Sequence, residues 1–235
     1  MTDRGDELAA NLAEVERRLD AACATAGRAR EDVTLVVVTK HFPADDVRLL
    51  AALGVRHVGE NRHQEAVVKH EACADVTSLT WHYVGHLQSN KAAAVAGWAD
   101  VVQSVDRTRL VAPLGRAASD RGRPLAVLLQ VSLDPEAGEG GRSGAAPGDV
   151  PGLADAVAST EGLELRGLMA VAPRGDDPRP AFARLAEVAA DLRSGHPTAT
   201  WVSAGMSGDL EAAEEHGATH VRVGTAVLGM RPLRG

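Results

Sequence analysis

The chain has 235 residues, of which 45% are hydrophobic, and a net charge of −7, so it is long and apolar enough to bury a sizeable core. Its acidic balance, without a Lys/Arg cluster, argues against a protein that binds nucleic acid through the phosphates. The amphipathic N-terminus is unlike a signal peptide and no stretch approaches the ~20 apolar residues of a membrane span, so we expect a cytoplasmic protein without membrane partners.

The two cysteines, Cys23 and Cys73, have neither a disulfide-rich setting nor the spacing of metal ligands. We therefore expect two free thiols in a reducing compartment and no metal site.

The chain begins with an amphipathic pattern that predicts a helix over residues 6–27. Short apolar or β-branched runs then alternate with longer amphipathic segments. The eight runs are TLVVVTK, VRHVGEN, WHYVGH, DVVQSVD, LAVLLQVSL, LELRGLMAV, TATWVSAG and THVRVGTA. The segments between them predict helices over residues 44–53, 61–74, 87–96, 107–120, 150–160, 180–192 and 208–216.

Strands that are apolar throughout and separated by helices are typical of a parallel sheet buried on both faces, and eight such strands can close into a barrel. We predict an α/β fold, a single (β/α)8 TIM-type barrel over residues 1–235, with residues 1–30 forming an additional helix packed on the barrel. An open, doubly wound sheet is the alternative that the pattern leaves open.

The segment DPEAGEGGRSGAAPGD, residues 134–149, interrupts this alternation with Gly, Pro and Ala. We interpret it as a mobile loop after the fifth strand. A phosphate-binding loop is the other interpretation, but the segment lacks the GK[ST] ending of such loops.

Polar and glycine-rich residues follow nearly every predicted strand, at the barrel face where sites are built. Lys40 directly follows the first strand. Taken singly, each residue has an ordinary explanation: Lys40 as a salt-bridged surface group, Asn61 as a helix cap, Ser207 as a helix start. Their convergence on one rim favours a functional site.

The ends of the seventh and eighth strands, SAGMSGDLEAA and RVGTA, indicate an anion site. They offer three hydroxyls, a helix start predicted near Gly208, and glycines that permit close backbone approach. We expect a phosphate to be held by Ser203, Ser207, Gly224 and Thr225.

A lysine that faces a phosphate site suggests a Schiff base with a phosphorylated aldehyde, for which pyridoxal phosphate is the leading candidate. An aldolase that binds a sugar phosphate through a lysine is the rival hypothesis.

Seven segments also carry a family resemblance: VVVTKHFP, GENRHQEA, WHYVGHLQSNK, SVDRTRL, RGLMAVAP, SAGMSGDLEAA and HVRVGTAVLGMR. In this order, over residues 8–232, they resemble the pyridoxal phosphate homeostasis proteins (YggS/PROSC type), single-domain barrels similar to the N-terminal domain of alanine racemase. The sequence departs from that pattern at Arg62, where an aromatic residue is common, and in the loop at 134–149.

The resemblance implies that pyridoxal 5'-phosphate is the cofactor and that Lys40 is its covalent Schiff-base lysine. It implies that Arg222 faces the pyridine nitrogen. It further implies a phosphate site and a cofactor lining that together comprise Asn61, His82, Met169, Ser203, Gly205, Ser207, Gly224 and Thr225.

The same resemblance implies a role in intracellular pyridoxal phosphate homeostasis, with cofactor-dependent apo-enzymes as possible recipients. An arginine beside the pyridine nitrogen disfavours its protonation and weakens the cofactor as an electron sink. Tyr83 is the single tyrosine, and strand alternation places it on the opposite face from His82. We therefore expect a binding protein that is not an enzyme, with a weak amino-acid racemase as the alternative.

Overall fold

The computed structural model describes residues 4–133, 144–173, 175 and 177–230. Eight parallel strands close into a barrel in chain order, with the first strand paired to both the second and the eighth. The strands are β1 Thr34–Val38, β2 His57–Glu60, β3 Thr80–Tyr83, β4 Val101–Val105, β5 Leu125–Gln130, β6 Leu163–Met169, β7 Trp201–Ser203 and β8 His220–Val223. The predicted barrel is confirmed, and the open sheet is wrong because β1 and β8 pair.

Helices surround the barrel and connect its strands. They are α1 Arg4–Thr25, α2 Ala44–Ala52, α3 His63–Ala72, α4 Ala92–Ala96, α5 Val111–Asp120, α6 Val150–Ala158, α7 Arg179–Gly195, α8 Leu210–Glu215 and α9 Thr225–Leu228. Short 3₁₀ turns lie at Arg30–Asp32, Ser89–Lys91, Thr108–Leu110 and Pro147–Asp149. Within the ranges described, no helix is both long enough and apolar enough to cross a bilayer.

The helices that follow β7 and β8 differ from the sequence prediction. The helix expected near Gly208 begins at Leu210, because the Met206 N–H donates to Asp209 Oδ1 at 2.6 Å and closes a turn. The four-residue α9 was not predicted, since one helical turn is too short to show a hydrophobic period.

Helix α1 lies on the barrel beside α8 and α9. Leu8 and Leu19 on its inner face are fully buried. At its edge, Arg18 forms an ion pair with Glu211 of α8 at 2.8 Å. Apolar burial and charge pairing therefore both fix α1 against the helix that follows β7.

The loop predicted over residues 134–149 lies partly outside the described residues. From Gly144 onward, Ala145 forms a parallel bridge to Val131, and its N–H donates to the Gln130 carbonyl at 2.7 Å. The chain then enters the 3₁₀ turn that leads into α6.

The barrel interior is divided into an apolar part and a polar part. Val101, Leu128 and Met169 form a small buried cluster separate from the main core, which lies between the sheet and the helices. The polar part lies directly beside this cluster and includes His82, which pairs with Val101, and Ser203, which pairs with Met169, both fully buried.

A bulge between β5 and β6 requires a glycine. Val127 pairs with Leu165 and Leu128 pairs with Gly167, so β6 carries one extra residue at this point. Gly167 has φ of 150°, and a Cβ there would lie 1.9 Å from the carbonyl oxygen of Trp201. Only glycine fits without moving the neighbouring strand.

Gly167→Ala should therefore lower the free energy of unfolding. Backbone strain alone costs about 1–3 kcal/mol, and the contact of the new Cβ with the Trp201 carbonyl oxygen adds to that loss. The matched control is Gly152→Ala, at an exposed position of α6 where a Cβ would meet nothing within 4 Å. That change should be neutral or stabilising, because alanine favours a helix over glycine. Urea unfolding followed by circular dichroism measures both, and equal stability of the two variants would contradict this account of the bulge.

Candidate functional site

A cavity of about 340 Å³ opens at the carboxyl ends of the strands, and we call it the mouth cavity. Strands of a parallel barrel all end at this face, so residues distant in the chain converge there. The cavity is lined by Val38, Lys40, Asn61, Val84, Met169, Val171, Met206, Ser207, Gly208, Arg222, Gly224 and Thr225.

Seven of the ten residues that the sequence predicted for the site line this cavity: Lys40, Asn61, Met169, Ser207, Arg222, Gly224 and Thr225. The other three, His82, Ser203 and Gly205, do not line it. His82 and Ser203 are fully buried in the barrel interior. Gly205 is turned toward α8, where a Cβ would lie 2.8 Å from that of Ala213, and its carbonyl accepts a hydrogen bond from the Arg222 N–H.

Sequence reasoning missed five lining residues, of which three are valines at or just after strand ends: Val38, Val84 and Val171. The predicted residues are mostly polar or glycine, whereas an organic ligand also needs apolar walls. The alternation of inward and outward positions along the strands was the signal that could have found them.

Of the three lysines in the sequence, one faces the mouth cavity. Lys69 is buried and holds three oxygen atoms, and Lys91 lies in a 3₁₀ turn away from the cavity lining. Lys40 is half-buried and, among the residues that the structure describes, forms no hydrogen bond or ion pair. Its ε-amine is therefore available to a ligand.

A buried network fixes the residue before Lys40. Lys69 Nζ of α3 donates to the Thr39 carbonyl and to Glu60 Oε1, each at 2.7 Å, and lies 2.7 Å from Glu65 Oε1. The Thr39 hydroxyl donates to the same Glu60 oxygen at 2.6 Å. We call Thr39, Glu60, Glu65 and Lys69 the lysine clamp.

The clamp also fixes the residue after Lys40. His41 has φ of 72°, a conformation that is uncommon for a residue other than glycine, and its N–H donates to Glu65 Oε1. Both neighbours of Lys40 are thus tied to one buried ion-pair network, while the Lys40 side chain stays free. This arrangement directs the amine into the cavity.

The cavity favours an anion although the protein is acidic overall. Its lining contains two cationic side chains, Lys40 and Arg222, and no carboxylate among the described residues. The Arg222 guanidinium donates to Ser203 Oγ and to the Ala170 carbonyl, both at 2.8 Å. Burial lowers the pKa of Arg222 to about 10, so it remains cationic at neutral pH.

One wall of the cavity presents hydroxyls and glycine backbone. Ser207 is half-buried and its Oγ accepts a hydrogen bond from the Ala226 N–H at 3.4 Å, whereas Thr225 is exposed. A Cβ at Gly224 would lie 3.2 Å from the Val38 carbonyl oxygen, so this close strand approach favours glycine. These groups can donate hydrogen bonds to an oxyanion.

Tyr83 points away from the cavity. Its hydroxyl donates to the His86 carbonyl at 3.2 Å, and its ring packs edge-on against Trp98. The described lining thus contains no tyrosine, histidine or carboxylate that could exchange a proton with a ligand. Across the same part of the chain, no three His, Cys, Asp or Glu side chains are grouped to hold a metal ion.

Comparison with known proteins identifies the family. The model of the alanine racemase N-terminal domain matches residues 7–232, nearly the whole chain. A pyridoxal phosphate homeostasis protein of Mycobacterium bovis is 45% identical over 99% of this chain and 96% of its own length. The chain belongs to the pyridoxal phosphate homeostasis protein family.

A second relative and a solved structure match the chain over nearly its whole length. The pyridoxal phosphate homeostasis protein of Escherichia coli K12 is 39% identical over 96% of this chain and 97% of its own. The solved structure of PipY from Synechococcus elongatus, with PLP bound, has a TM-score of 0.80 and 35% identity and covers 94% of this chain and 100% of PipY. The family resemblance inferred from the motifs is therefore confirmed.

The lysine clamp generates a stability prediction. Lys69→Met should lower the free energy of unfolding by ~3–5 kcal/mol at pH 7, because Glu60 would be a buried charge without its cation. Burial already raises the pKa of Glu60, and Lys69 opposes that effect. Without Lys69 the folded-state pKa rises further, so the protonated form becomes the one that favours folding.

The loss in Lys69→Met should therefore be small below the unfolded-state pKa of about 4.3 and grow as pH rises through the higher folded-state pKa of Glu60. Urea unfolding at several pH values measures this, with Lys69→Met/Glu60→Gln as the control that removes both charges. A loss that is independent of pH, and that the double variant does not reduce, would show that Lys69 acts only by filling space.

Proposed function

We propose that the chain binds pyridoxal 5'-phosphate in the mouth cavity and takes part in the intracellular homeostasis of this cofactor, buffering it or delivering it. The observation that carries this proposal is one free lysine amine in an anion-favouring cavity whose described lining contains no tyrosine, histidine or carboxylate. The names of the curated relatives and the PLP-bound structure of PipY support it. We further propose that it acts in the cytoplasm, where its free cysteines Cys23 and Cys73 would stay reduced.

The residues present fit each part of this cofactor. Hydroxyl and backbone groups at Ser207, Gly224 and Thr225 suit a phosphate, while Lys40 suits an aldehyde. The side chains of Val38 and Met169 provide apolar surface for a ring.

When bound, the cofactor supplies an aldehyde that condenses with a lysine amine to a Schiff base, with loss of water. We assign the amine to Lys40, which the lysine clamp holds at the end of β1. Arg222 presents a fixed hydrogen-bond donor at the cavity floor, and we propose that the pyridine nitrogen of the cofactor faces it. Asn61 lines the rim beside Lys40 and is a further candidate contact.

His82, Ser203 and Gly205 have an indirect role in this proposal. Ser203 accepts from Arg222 and Gly205 accepts from the Arg222 N–H, so both hold the arginine in place. A direct contact of Ser203 with phosphate is not included, because its hydroxyl is buried and bonded on both sides.

The lining favours binding without turnover. Racemisation needs an acid–base group on each face of the substrate carbon, and Lys40 is the only candidate among the described lining residues. We therefore favour a cofactor carrier over a weak racemase. The recipients that we propose are apo-enzymes that depend on the same cofactor.

Lys40→Ala should abolish covalent attachment while leaving weak, reversible, phosphate-dependent binding and the fold intact. After borohydride treatment with the cofactor, peptide mass spectrometry of the wild type should show added mass on the peptide that spans residue 40. The variant should show none. The matched control is Lys91→Ala, which removes a lysine outside the cavity and should label as the wild type does. If Lys40→Ala is labelled as strongly as the wild type, or if the wild type is labelled on Lys69 or Lys91, the assignment to Lys40 is wrong.

Ser207→Ala and Thr225→Val should each weaken cofactor affinity without altering the spectrum at saturation, because they remove donors to phosphate and leave the amine. A lost hydrogen bond to a charged group corresponds to about 1.5–3 kcal/mol, or roughly 10- to 150-fold in Kd. Titration by visible absorbance measures the change, with pyridoxal, which lacks phosphate, as the comparison ligand. Unchanged affinity in both variants would place the phosphate elsewhere.

A further inference from the structure

A continuous chain of hydrogen bonds runs through the polar part of the barrel interior. His57, His82, Gln103, Ser203 and Arg222 form it, and we call these five residues the polar column. Four contacts connect them in that order. His57 Nδ1 lies 3.0 Å from His82 Nε2, and His82 Nδ1 lies 2.8 Å from Gln103 Nε2. Ser203 Oγ lies 2.7 Å from Gln103 Oε1 and 2.8 Å from the Arg222 guanidinium.

Arg222 and the orientation of the Gln103 amide together fix the direction of the bonds in the column. Arginine has only donors, so Ser203 accepts from Arg222 and gives its own proton to Gln103 Oε1. The Gln103 amide NH₂ then donates to His82 Nδ1.

The hydrogen bond between the two histidines has the same donor-to-acceptor direction as the rest of the column. Burial and the neighbouring imidazoles lower the pKa of His82 well below its usual value, and burial lowers that of His57, so both are neutral at pH 7. With Nδ1 accepting from Gln103, His82 carries its proton on Nε2 and donates to His57 Nδ1. All four bonds donate away from the mouth cavity.

Neutral groups, not a carboxylate, anchor the Arg222 guanidinium in the described structure. No ion pair to Arg222 occurs in the described part of the chain, and its two anchors are the Ser203 hydroxyl and the Ala170 carbonyl. The arginine is 5% exposed and lines the cavity floor. Its orientation is therefore set by neutral groups that Gln103 and His82 hold in place, while Asp209, whose charge raises the pKa of Arg222, forms no ion pair with it in the described structure.

We propose that Gln103 and His82 are positioning residues of the site, which keep Arg222 as a fixed cationic donor on the cavity floor so that the pyridine nitrogen of the bound cofactor stays unprotonated. This role rests on the proposed function. The column also excludes proton delivery from below, because its bonds all donate in the opposite direction. A cofactor held in this state is a weak electron sink, which suits a carrier.

The first test uses the unmodified protein without cofactor. Long-range ¹H–¹⁵N NMR of histidine-labelled protein at pH 7 should show His82 as the neutral tautomer with its proton on Nε2. A proton on Nδ1, or a doubly protonated ring, would overturn the proposal, because the column would then run in the other direction or carry a charge.

The second test measures the pyridine nitrogen directly. In wild type loaded with cofactor that is ¹⁵N-labelled in the ring, the resonance should be that of an unprotonated pyridine. In Gln103→Met, which keeps the volume and removes both hydrogen bonds, it should move upfield toward pyridinium, and the His82 signals should show both tautomers.

The chain offers a matched pair of controls. Ser203→Ala breaks the next bond of the column and should reproduce the shift of the pyridine resonance. Ser104→Ala removes a hydroxyl that is equally buried but has no hydrogen-bond partner in the described structure, so it should leave both resonances unchanged.

The outcomes separate this role from the proposed function. Cofactor bound with an unchanged pyridine resonance in both Gln103→Met and Ser203→Ala would overturn the role of the column alone. A wild-type chain that binds no cofactor would overturn the proposed function and this role with it. If Gln103→Met does not fold, the pyridine resonance of Ser203→Ala and the His82 tautomer of the wild type still test the role of the column.

Discussion

The pairing of β1 with β8 is the constraint on which the site depends. Closing the sheet brings the carboxyl end of the first strand beside that of the last, so Lys40 and Arg222 reach one cavity from almost opposite ends of the sequence. An open sheet would place them at separate edges. The close approach at Gly224 to the Val38 carbonyl shows how tightly this seam is packed.

Each cation of the cavity is supported by a different kind of buried network. Charged groups surround the backbone on both sides of Lys40, whereas the column behind Arg222 is neutral. This difference fits the role proposed for each side chain. Lys40 must keep a mobile amine on a fixed backbone, and Arg222 must keep a fixed, cationic head group. In both cases the interior of the barrel prepares the site before any ligand arrives.

The strands, their order and most of the cavity lining could be predicted from the sequence, because apolar runs and strand-end positions depend on local pattern. How deeply each side chain lies within the barrel could not be predicted. Ser203 and His82 were predicted to contact the cofactor, but the sequence does not show that both are fully buried in the barrel interior. Lys69 was missed for another reason: a lysine in an amphipathic helix is usually solvated, and its burial depends on Glu60 from a neighbouring strand. Pairings of this kind belong to tertiary structure, and no spacing rule reveals them.

Titration of the cofactor-free chain with pyridoxal 5'-phosphate, followed by visible absorbance, tests the central claim most directly. The account predicts a new band that saturates at one cofactor per chain, since the chain provides one cavity-facing lysine and one wall of phosphate donors. A spectrum that stays flat at saturating cofactor would contradict it.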